Sequence, residues 1–327
     1  MKTYHRWTLL FVGAWLVSVL LTLNYNGPFF DEGIYITAGE RTFEGHGLSD
    51  GYLNWFAGSL AWPVLAAVGY KFGGLVGART VALILAAVAL LGVGYTARNL
   101  FGPAAGLWTV VALGLNGSFV SLARLAVYDV LALACIGVTL GAVSQLATSD
   151  NRGWLVLATL SLVGAAFAKY PAVLMVVPIC LLLLTIRHKR AVMDIGLLGT
   201  ATAALGLAFF LPVREQLAGL PSWRLANSPS FGTGPSTIAF TLLFYSVVPL
   251  VLGGISWILA RRQKALAGVM FLTLLMWPVY HLVTQDPVGA NKHVVFGFLV
   301  AYPLIGYGLS VIWEKRHFWP VVLGVVG

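Results

Sequence analysis

The sequence predicts an all-α polytopic membrane protein with about ten transmembrane helices. Of its 327 residues, 59% are hydrophobic and only 9% are charged, and the mean hydropathy is +0.88. Apolar runs of roughly 17 to 25 residues recur along the chain, which is the length that a helix needs to cross a bilayer. Runs such as 81–95 and 173–186 are apolar continuously rather than at alternate positions, so helices are favoured over barrel strands.

The whole chain, 1–327, is interpreted as one transmembrane domain. Predicted spans occupy about 7–23, 78–97, 104–122, 129–147, 153–168, 171–186, 192–211, 237–260, 265–283 and 294–312. A long first external loop, 24–77, contains an apolar stretch at 60–70 that is too short to span and is expected to form one or two interfacial helices. A second external loop is predicted at 212–236. The final apolar run, 318–327, is also too short to span, which is expected of a chain truncated at its C-terminus.

The charge distribution predicts the orientation of the chain in the membrane. The net charge is +9, and the basic residues lie in short clusters between spans, so nucleic acid is excluded as a partner. With the N-terminus in the cytoplasm, the cytoplasmic segments hold twelve basic and three acidic residues, and the external segments hold eight of each. The excess of Lys and Arg on the inner side predicts this orientation, in the plasma membrane.

Several of the few ionisable residues lie at the external ends of predicted spans. The acidic pair Asp31 and Glu32 follows the first span, and the same loop adds Asp50. The others at external span ends are Arg124, Asp129, Lys169, Asp286, Lys292 and His293. Because these ends lie on one face of the membrane, we expect the side chains to converge on a single external site.

The predicted cluster has the groups that sugar transfer from a lipid phosphate requires. A carboxylate such as Asp31 can act as a general base toward an acceptor hydroxyl. Cations at headgroup depth can hold the phosphate and stabilise its charge as it leaves; the candidates are Lys292, His293, Arg124 and Lys169. Phosphate is a good leaving group, so a second carboxylic acid is not needed. The histidines are scattered, which disfavours a preformed zinc site, although acidic residues with one histidine leave a divalent ion open.

Each candidate also has a simpler structural interpretation. Asp31 can be the N-cap of a helix through 34–42, with Glu32 in its first turn. Arg124 and Asp129 can form an interfacial ion pair. Lys169 can extend its amine to the membrane surface, which is the better interpretation of that residue alone. The predicted site therefore depends on the convergence of these residues and not on any one of them.

Short motifs along 7–190 occur in an order that is typical of one enzyme family. They are Phe30-Asp31-Glu32-Gly33-Ile34-Tyr35, Gly45-His46-Gly47-Leu48-Ser49-Asp50, Phe72-Gly73 ahead of Gly77-Ala78-Arg79, Asn99-Leu100-Phe101-Gly102, Ala123-Arg124 with Asp129, and Trp154 with Lys169. A weaker match is Asn291-Lys292-His293 before Tyr302-Pro303. In these motifs the chain resembles the GT-C membrane glycosyltransferases of the family 39 type, which include protein O-mannosyltransferases and lipid A aminoarabinose transferases.

The resemblance implies a GT-C-like bundle that transfers a sugar, with inversion, from a polyprenyl-phosphate donor on the external face. It implies that Asp31 is the catalytic acidic residue of the first loop and that Glu32 is its partner, which aids a metal ion or the acceptor. Asp129 is similar to the second acidic residue of the family. Lys292 and His293 are loosely similar to its phosphate-binding residues. We assign Asp50 and Tyr35 of the first loop to the acceptor side of the site.

Two other classes of membrane protein are alternatives. Transporters and lipid flippases carry charges near the middle of the bilayer and often consist of repeated halves, whereas the spans here are almost free of charge and show no repeat. A non-catalytic assembly subunit would use the acidic first loop for docking. The sequence leaves open the sugar, the need for metal, the oligomeric state and the acceptor, which can be a protein, a lipid or a polysaccharide.

Overall fold

The computed structural model describes residues 2–56, 59, 61–149, 151–187, 190–211, 214–215, 235–284 and 289–315, which form helices and no strand. The helices are α1 (Lys2–Leu20), α2 (Phe30–Phe43), α3 (Asp50–Phe56), α4 (Ala61–Phe101), α5 (Pro103–Gly114), α6 (Gly117–Ala123), α7 (Asp129–Gln145), α8 (Gly153–Ala168), α9 (Val176–Arg187), α10 (Ala191–Phe210), α11 (Pro235–Leu259), α12 (Lys264–Thr284) and α13 (Ala290–Glu314). A 3₁₀ turn, Tyr170–Met175, precedes α9, and another, Arg261–Gln263, precedes α12.

Helices occur at every predicted span, and the prediction of an all-α polytopic membrane protein is confirmed. By length and composition, six helical segments in the described part of the chain can cross a membrane, or seven if the bent pair α5 and α6 is one span. The apolar helices α7 and α8 are shorter, with 17 and 16 residues. The number of about ten spans stays a prediction.

The first loop is largely helical, because it contains α2, α3 and the first part of α4. A break at Gly73 and Gly74 separates the beginning of α4 from its long apolar part. Gly74 has a φ of 58°, a left-handed conformation that glycine adopts without a Cβ penalty. The beginning of α4 coincides with the short apolar helix predicted at 60–70. The predicted second loop, 212–236, lies almost wholly outside the described residues, and the run 318–327 lies entirely outside them.

Helix α13 lies in the middle of the bundle and packs against α4, α5, α11 and α12. Small residues allow this packing, as is usual between membrane helices. A Cβ added at Gly297 would lie 2.8 Å from the carbonyl oxygen of Thr273 in α12. One added at Gly306 would lie 2.6 Å from the carbonyl oxygen of Ala105 in α5. These contacts fix the position of α13, and its first turn carries Lys292 and His293.

Candidate active site

The first element of the site is an ion pair between the first loop and the last described helix. Lys292 Nζ donates a hydrogen bond to Asp31 Oδ2 at 2.7 Å, across 261 residues of sequence. The side chains of Asp31 and Lys292 are 25% and 18% exposed. Phe29, and not Asp31, is the N-cap of α2, so the expected N-cap role of Asp31 is wrong and its carboxylate lies in the first turn.

A second ion pair joins Asp129, the first residue of α7, to Lys169, which directly follows α8. Lys169 Nζ donates to Asp129 Oδ1, and it also lies 5.0 Å from the ring centroid of Tyr128 and 5.5 Å from that of Phe296. Both charged residues are buried, and Asp129 Oδ2 has no hydrogen-bond partner among the residues that the structure describes. The interpretation of Lys169 as a residue that extends to the membrane surface is therefore wrong.

The two ion pairs are close enough to act on each other. The charges of Asp31 and Asp129 both act on Lys292. Tyr35 is fully buried, and burial raises its pKa well above the ordinary value, with further contributions from Tyr128 and the two carboxylates. The Tyr35 ring packs edge-on against Tyr128 at 5.1 Å, so it lies inside the site, and its assignment to the acceptor side stays a prediction.

Glu32, the neighbour of Asp31, has a different environment. Its Oε1 accepts hydrogen bonds from Arg79 Nε at 2.8 Å and from the Ala126 backbone N–H at 2.7 Å. Its Oε2 accepts from Arg79 Nη2 and from the Phe29 backbone N–H, both at 2.7 Å. Burial alone would raise the pKa of Glu32, but the hydrogen bonds from Arg79 and the two backbone groups lower it below the ordinary value.

This environment does not fit the expected catalytic or metal-binding role of Glu32. Four donors occupy the two carboxylate oxygens, and the side chain is completely buried. A metal ion would have to displace them. Moreover, no group of three or more His, Cys, Asp or Glu side chains within the described ranges is arranged to hold a metal ion.

Arg79 completes this buried network and was not among the candidates from the sequence. Its Nη1 donates to the carbonyl oxygen of Leu23 at 2.6 Å, and its Nη2 donates to that of Gly27 at 2.9 Å. Arg79 therefore attaches both the segment after α1 and the first turn of α2 to α4. Because Asp31 lies in that turn, Arg79 also determines where the Asp31 carboxylate is.

A histidine pair supports the other side of the Asp31–Lys292 contact. His281 Nε2 in α12 lies 2.9 Å from His293 Nδ1 in α13, and the two rings stack with centroids 5.0 Å apart. Trp277 packs against His293 at 5.0 Å. His293 is thus buried against α12, while its neighbour Lys292 is directed to Asp31. Sequence reasoning missed His281, because it lies within an apolar run.

The remaining predicted residues lie away from these contacts. Arg124 donates from Nη2 to the Thr22 carbonyl oxygen at 3.2 Å, and its Cζ lies 3.7 Å from the ring centroid of Tyr25. It is therefore not the ion-pair partner of Asp129. Asp50 is exposed at the first residue of α3, and no described hydrogen bond or ion pair joins it to the cluster. Asp286 lies outside the described residues.

Comparisons with known proteins agree with this architecture. Residues 63–214 match the family model of dolichyl-phosphate-mannose-protein mannosyltransferases. The chain also has the fold of ArnT from Cupriavidus metallidurans. With ArnT bound to undecaprenyl phosphate, the TM-score is 0.62 at 20% identity, covering 98% of this chain and 64% of ArnT. With apo ArnT, the TM-score is 0.60 at 21% identity, covering 99% of this chain and 64% of ArnT.

The chain thus spans less than two thirds of the length of the ArnT chains. None of the curated proteins compared with it matches in sequence. The family model covers the segment that carries Arg79, Asp129 and Lys169, and the fold match covers almost all of the chain. Together they confirm the resemblance of this integral membrane protein to the GT-C membrane glycosyltransferases of the family 39 type.

Proposed function

We propose that the protein is an integral-membrane glycosyltransferase that moves a sugar from a polyprenyl-phosphate donor to an acceptor hydroxyl on the external face. The observation that carries this proposal is the partly exposed ion pair between Asp31 and Lys292. A carboxylate, which can act as a general base, and a cation, which can bind phosphate, are side by side in this pair. The similarity in fold to ArnT, whose structure contains undecaprenyl phosphate, supports a polyprenyl carrier.

In the proposed reaction, the donor phosphate competes with Asp31 for Lys292. Asp31 Oδ2 then accepts the proton of the acceptor hydroxyl, and the hydroxyl oxygen forms a bond to the anomeric carbon of the sugar. The bond from that carbon to the phosphate oxygen breaks, and polyprenyl phosphate leaves with the electron pair. Lys292 stabilises the charge that develops on the leaving phosphate. A single displacement of this kind inverts the anomeric configuration.

Asp129 and Lys169 have a supporting role in this proposal. Asp129 Oδ2 is buried and has no hydrogen-bond partner in the described part of the chain, and we assign it to a hydroxyl of the sugar or the acceptor. Lys169 donates to the other oxygen and thereby fixes the orientation of the Asp129 carboxylate. Of the expected phosphate ligands, we retain Lys292, and we assign His293 to positioning it. The external location follows from the charge distribution between the spans.

The test compares two carboxylates of the same helix. Sugar transfer from a polyprenyl-phosphate donor is measured for the wild type, Asp31→Asn and Glu40→Gln, because Glu40 is an exposed carboxylate further along α2. Loss of a general base lowers the rate by about 10²- to 10⁴-fold, so Asp31→Asn should show a loss of this size. Glu40→Gln should keep the wild-type rate. Equal rates for Asp31→Asn and the wild type would remove the base role.

A wild-type protein that transfers no sugar would favour the transporter or flippase alternative. The same purified samples, reconstituted in vesicles, can then be assayed for movement of a labelled polyprenyl phosphate between leaflets. The proposed transferase does not need such movement, because donor, base and acceptor meet on one face.

A further inference from the structure

A groove of about 430 Å³ lies at the end of the bundle opposite to the candidate active site. Five helices contribute residues from the same end: the beginnings of α1, α5 and α8, and the final parts of α4 and α7. The candidate active site uses the other ends of two of these helices, since Asp129 begins α7 and Lys169 follows α8. The groove is therefore a separate feature of the molecule.

The walls of the groove are apolar and accessible from outside the bundle. They include Leu9 of α1, Leu91 of α4 and Leu157 of α8, which are 51%, 39% and 39% exposed. Val138 of α7 and Val110 of α5 continue the apolar lining. Its volume is within the range of small-molecule sites. An acyl chain is a suitable occupant, because in a membrane it is the apolar group that can enter from the side.

The mouth of the groove is polar and basic. Arg98 lies in the last turn of α4, and His5 of α1 lines the same opening, together with Tyr4 and Tyr95. None of the described residues that line the groove is acidic. Within the described part of the chain, Arg98 makes no ion pair. Its guanidinium is thus available to an anion, and guanidinium groups bind phosphate with two parallel hydrogen bonds.

We propose that this groove binds one anionic glycerophospholipid of the inner leaflet. One acyl chain lies along Leu91 and Leu157, and the phosphate binds Arg98 with His5 beside it. The predicted orientation puts this end of the bundle at the cytoplasmic face, where anionic lipids supply the negative surface charge. The proposal does not depend on sugar transfer, since the groove and the candidate active site share no residue.

The first experiment measures lipid binding to the purified protein by native mass spectrometry. Phosphatidylglycerol and phosphatidylcholine with identical acyl chains are titrated separately. The wild type should bind one phosphatidylglycerol about tenfold more tightly than phosphatidylcholine, which is the size expected for a charge-assisted hydrogen bond. Arg98→Gln should reduce the affinity for phosphatidylglycerol by about the same factor. Arg6→Gln is the matched control, because Arg6 is exposed near His5 but does not line the groove.

A second variant tests the location. A Cβ added at Gly141 would lie 3.7 Å from the Gly92 carbonyl oxygen and 3.7 Å from Tyr95 Cδ1, which are ordinary contacts. Because the Cβ position is free of clashes, the rest of the side chain in Gly141→Leu should fill part of the groove, and the affinity for both lipids should fall. Wild-type binding in Gly141→Leu would overturn the location.

Three further outcomes would overturn the identity of the lipid. The first is equal affinity of the wild type for the two phospholipids, and the second is unchanged binding of phosphatidylglycerol to Arg98→Gln. The third is displacement of phosphatidylglycerol by undecaprenyl phosphate at equal concentration, which would assign the groove to the carrier lipid. None of these measurements uses sugar transfer. A negative result for lipid binding therefore does not affect the proposed function, and a protein without sugar transfer can still bind the lipid.

Discussion

Asp31 and Glu32 are adjacent in sequence and have the same functional group, yet the fold uses them differently. Successive residues of a helix project about 100° apart, so α2 directs the two carboxylates to different surroundings. Glu32 is completely buried and accepts four hydrogen bonds, whereas Asp31 is 25% exposed and pairs with one lysine. A carboxylate whose acceptor sites are filled holds the backbone in place, and one with free sites is available to a substrate.

The two environments also predict different costs of mutation. Removing one partner of a buried ion pair leaves an uncompensated charge and typically costs about 3–5 kcal/mol. Removing one partner of an exposed pair costs about 0–1 kcal/mol. The Glu32–Arg79 pair is of the first kind, and the Asp31–Lys292 pair is closer to the second. Mutations should therefore separate stability at one carboxylate from transfer at the other.

The largest effect is expected for Arg79→Ala. Loss of the guanidinium leaves Glu32 charged and buried, and it also removes the bonds to the segment after α1. The free energy of unfolding should fall by about 3–5 kcal/mol, measured by denaturant titration in mild detergent. Arg79→Lys keeps the charge but loses the planar guanidinium, so its free energy of unfolding should lie between those of the wild type and Arg79→Ala.

The control for this prediction is Arg41→Ala, because Arg41 is exposed in the last turn of α2. It should unfold with nearly the wild-type free energy. If Arg79→Ala unfolds like the wild type and loses only sugar transfer, then Glu32 and Arg79 belong to the chemistry, as the sequence first suggested for Glu32.

The next effect is expected for Lys292→Ala. Loss of a charge-assisted hydrogen bond to the donor phosphate should weaken donor binding by about tenfold or more. The free energy of unfolding should change by no more than about 1 kcal/mol, since the pair with Asp31 is partly exposed. Lys315→Ala, at the far end of α13, is the matched control and should bind donor like the wild type. Unchanged donor affinity in Lys292→Ala would remove the phosphate-binding role.

Much of the fold could be predicted from the sequence, since it follows from local features. Continuous apolar runs located the helices, and the helix predicted at 34–42 corresponds to α2. The N-terminus of that helix was harder to predict. Phe29 is extended, with φ −69° and ψ 148°, and Glu32 instead of Asp31 accepts its N–H. The prediction made Asp31 the N-cap. In the structure, the longer side chain of Glu32 reaches back over one turn to the N-cap backbone, as it does in a capping box.

The partners in the site were harder to predict, because they are distant in sequence. Glu32 and Arg79 are 47 residues apart, and Asp129 and Lys169 are 40 residues apart. The sequence predicted that external charges converge, and the structure brings four of them together in the pairs Asp31–Lys292 and Asp129–Lys169. The sequence contained no signal for which cation pairs with which carboxylate, because the pairing depends on how the helices pack.

A smaller effect is expected for His281→Phe, which keeps an aromatic ring against His293 but removes the contact between their nitrogens. The loss of one buried hydrogen bond should lower the free energy of unfolding by about 0.5–1.5 kcal/mol. Donor affinity should fall less than in Lys292→Ala, because Lys292 is still present but less well fixed. His46→Phe, an exposed histidine between α2 and α3, is the control. A larger loss of affinity than in Lys292→Ala would place the histidines in direct contact with donor.

The smallest effect concerns acid and tests the buried carboxylate of this comparison, Glu32. Hydrogen bonds lower the pKa of Glu32 in the folded protein, against the opposing effect of burial. Its contribution to stability is therefore complete above the unfolded pKa of about 4.3 and is lost as the pH falls through the lower folded value. Glu32→Gln should unfold more easily at pH 7 and lose less of its remaining stability on acidification. If Glu32→Gln loses stability on acidification as steeply as the wild type does, then the ionisation of Glu32 does not hold this end of the bundle together.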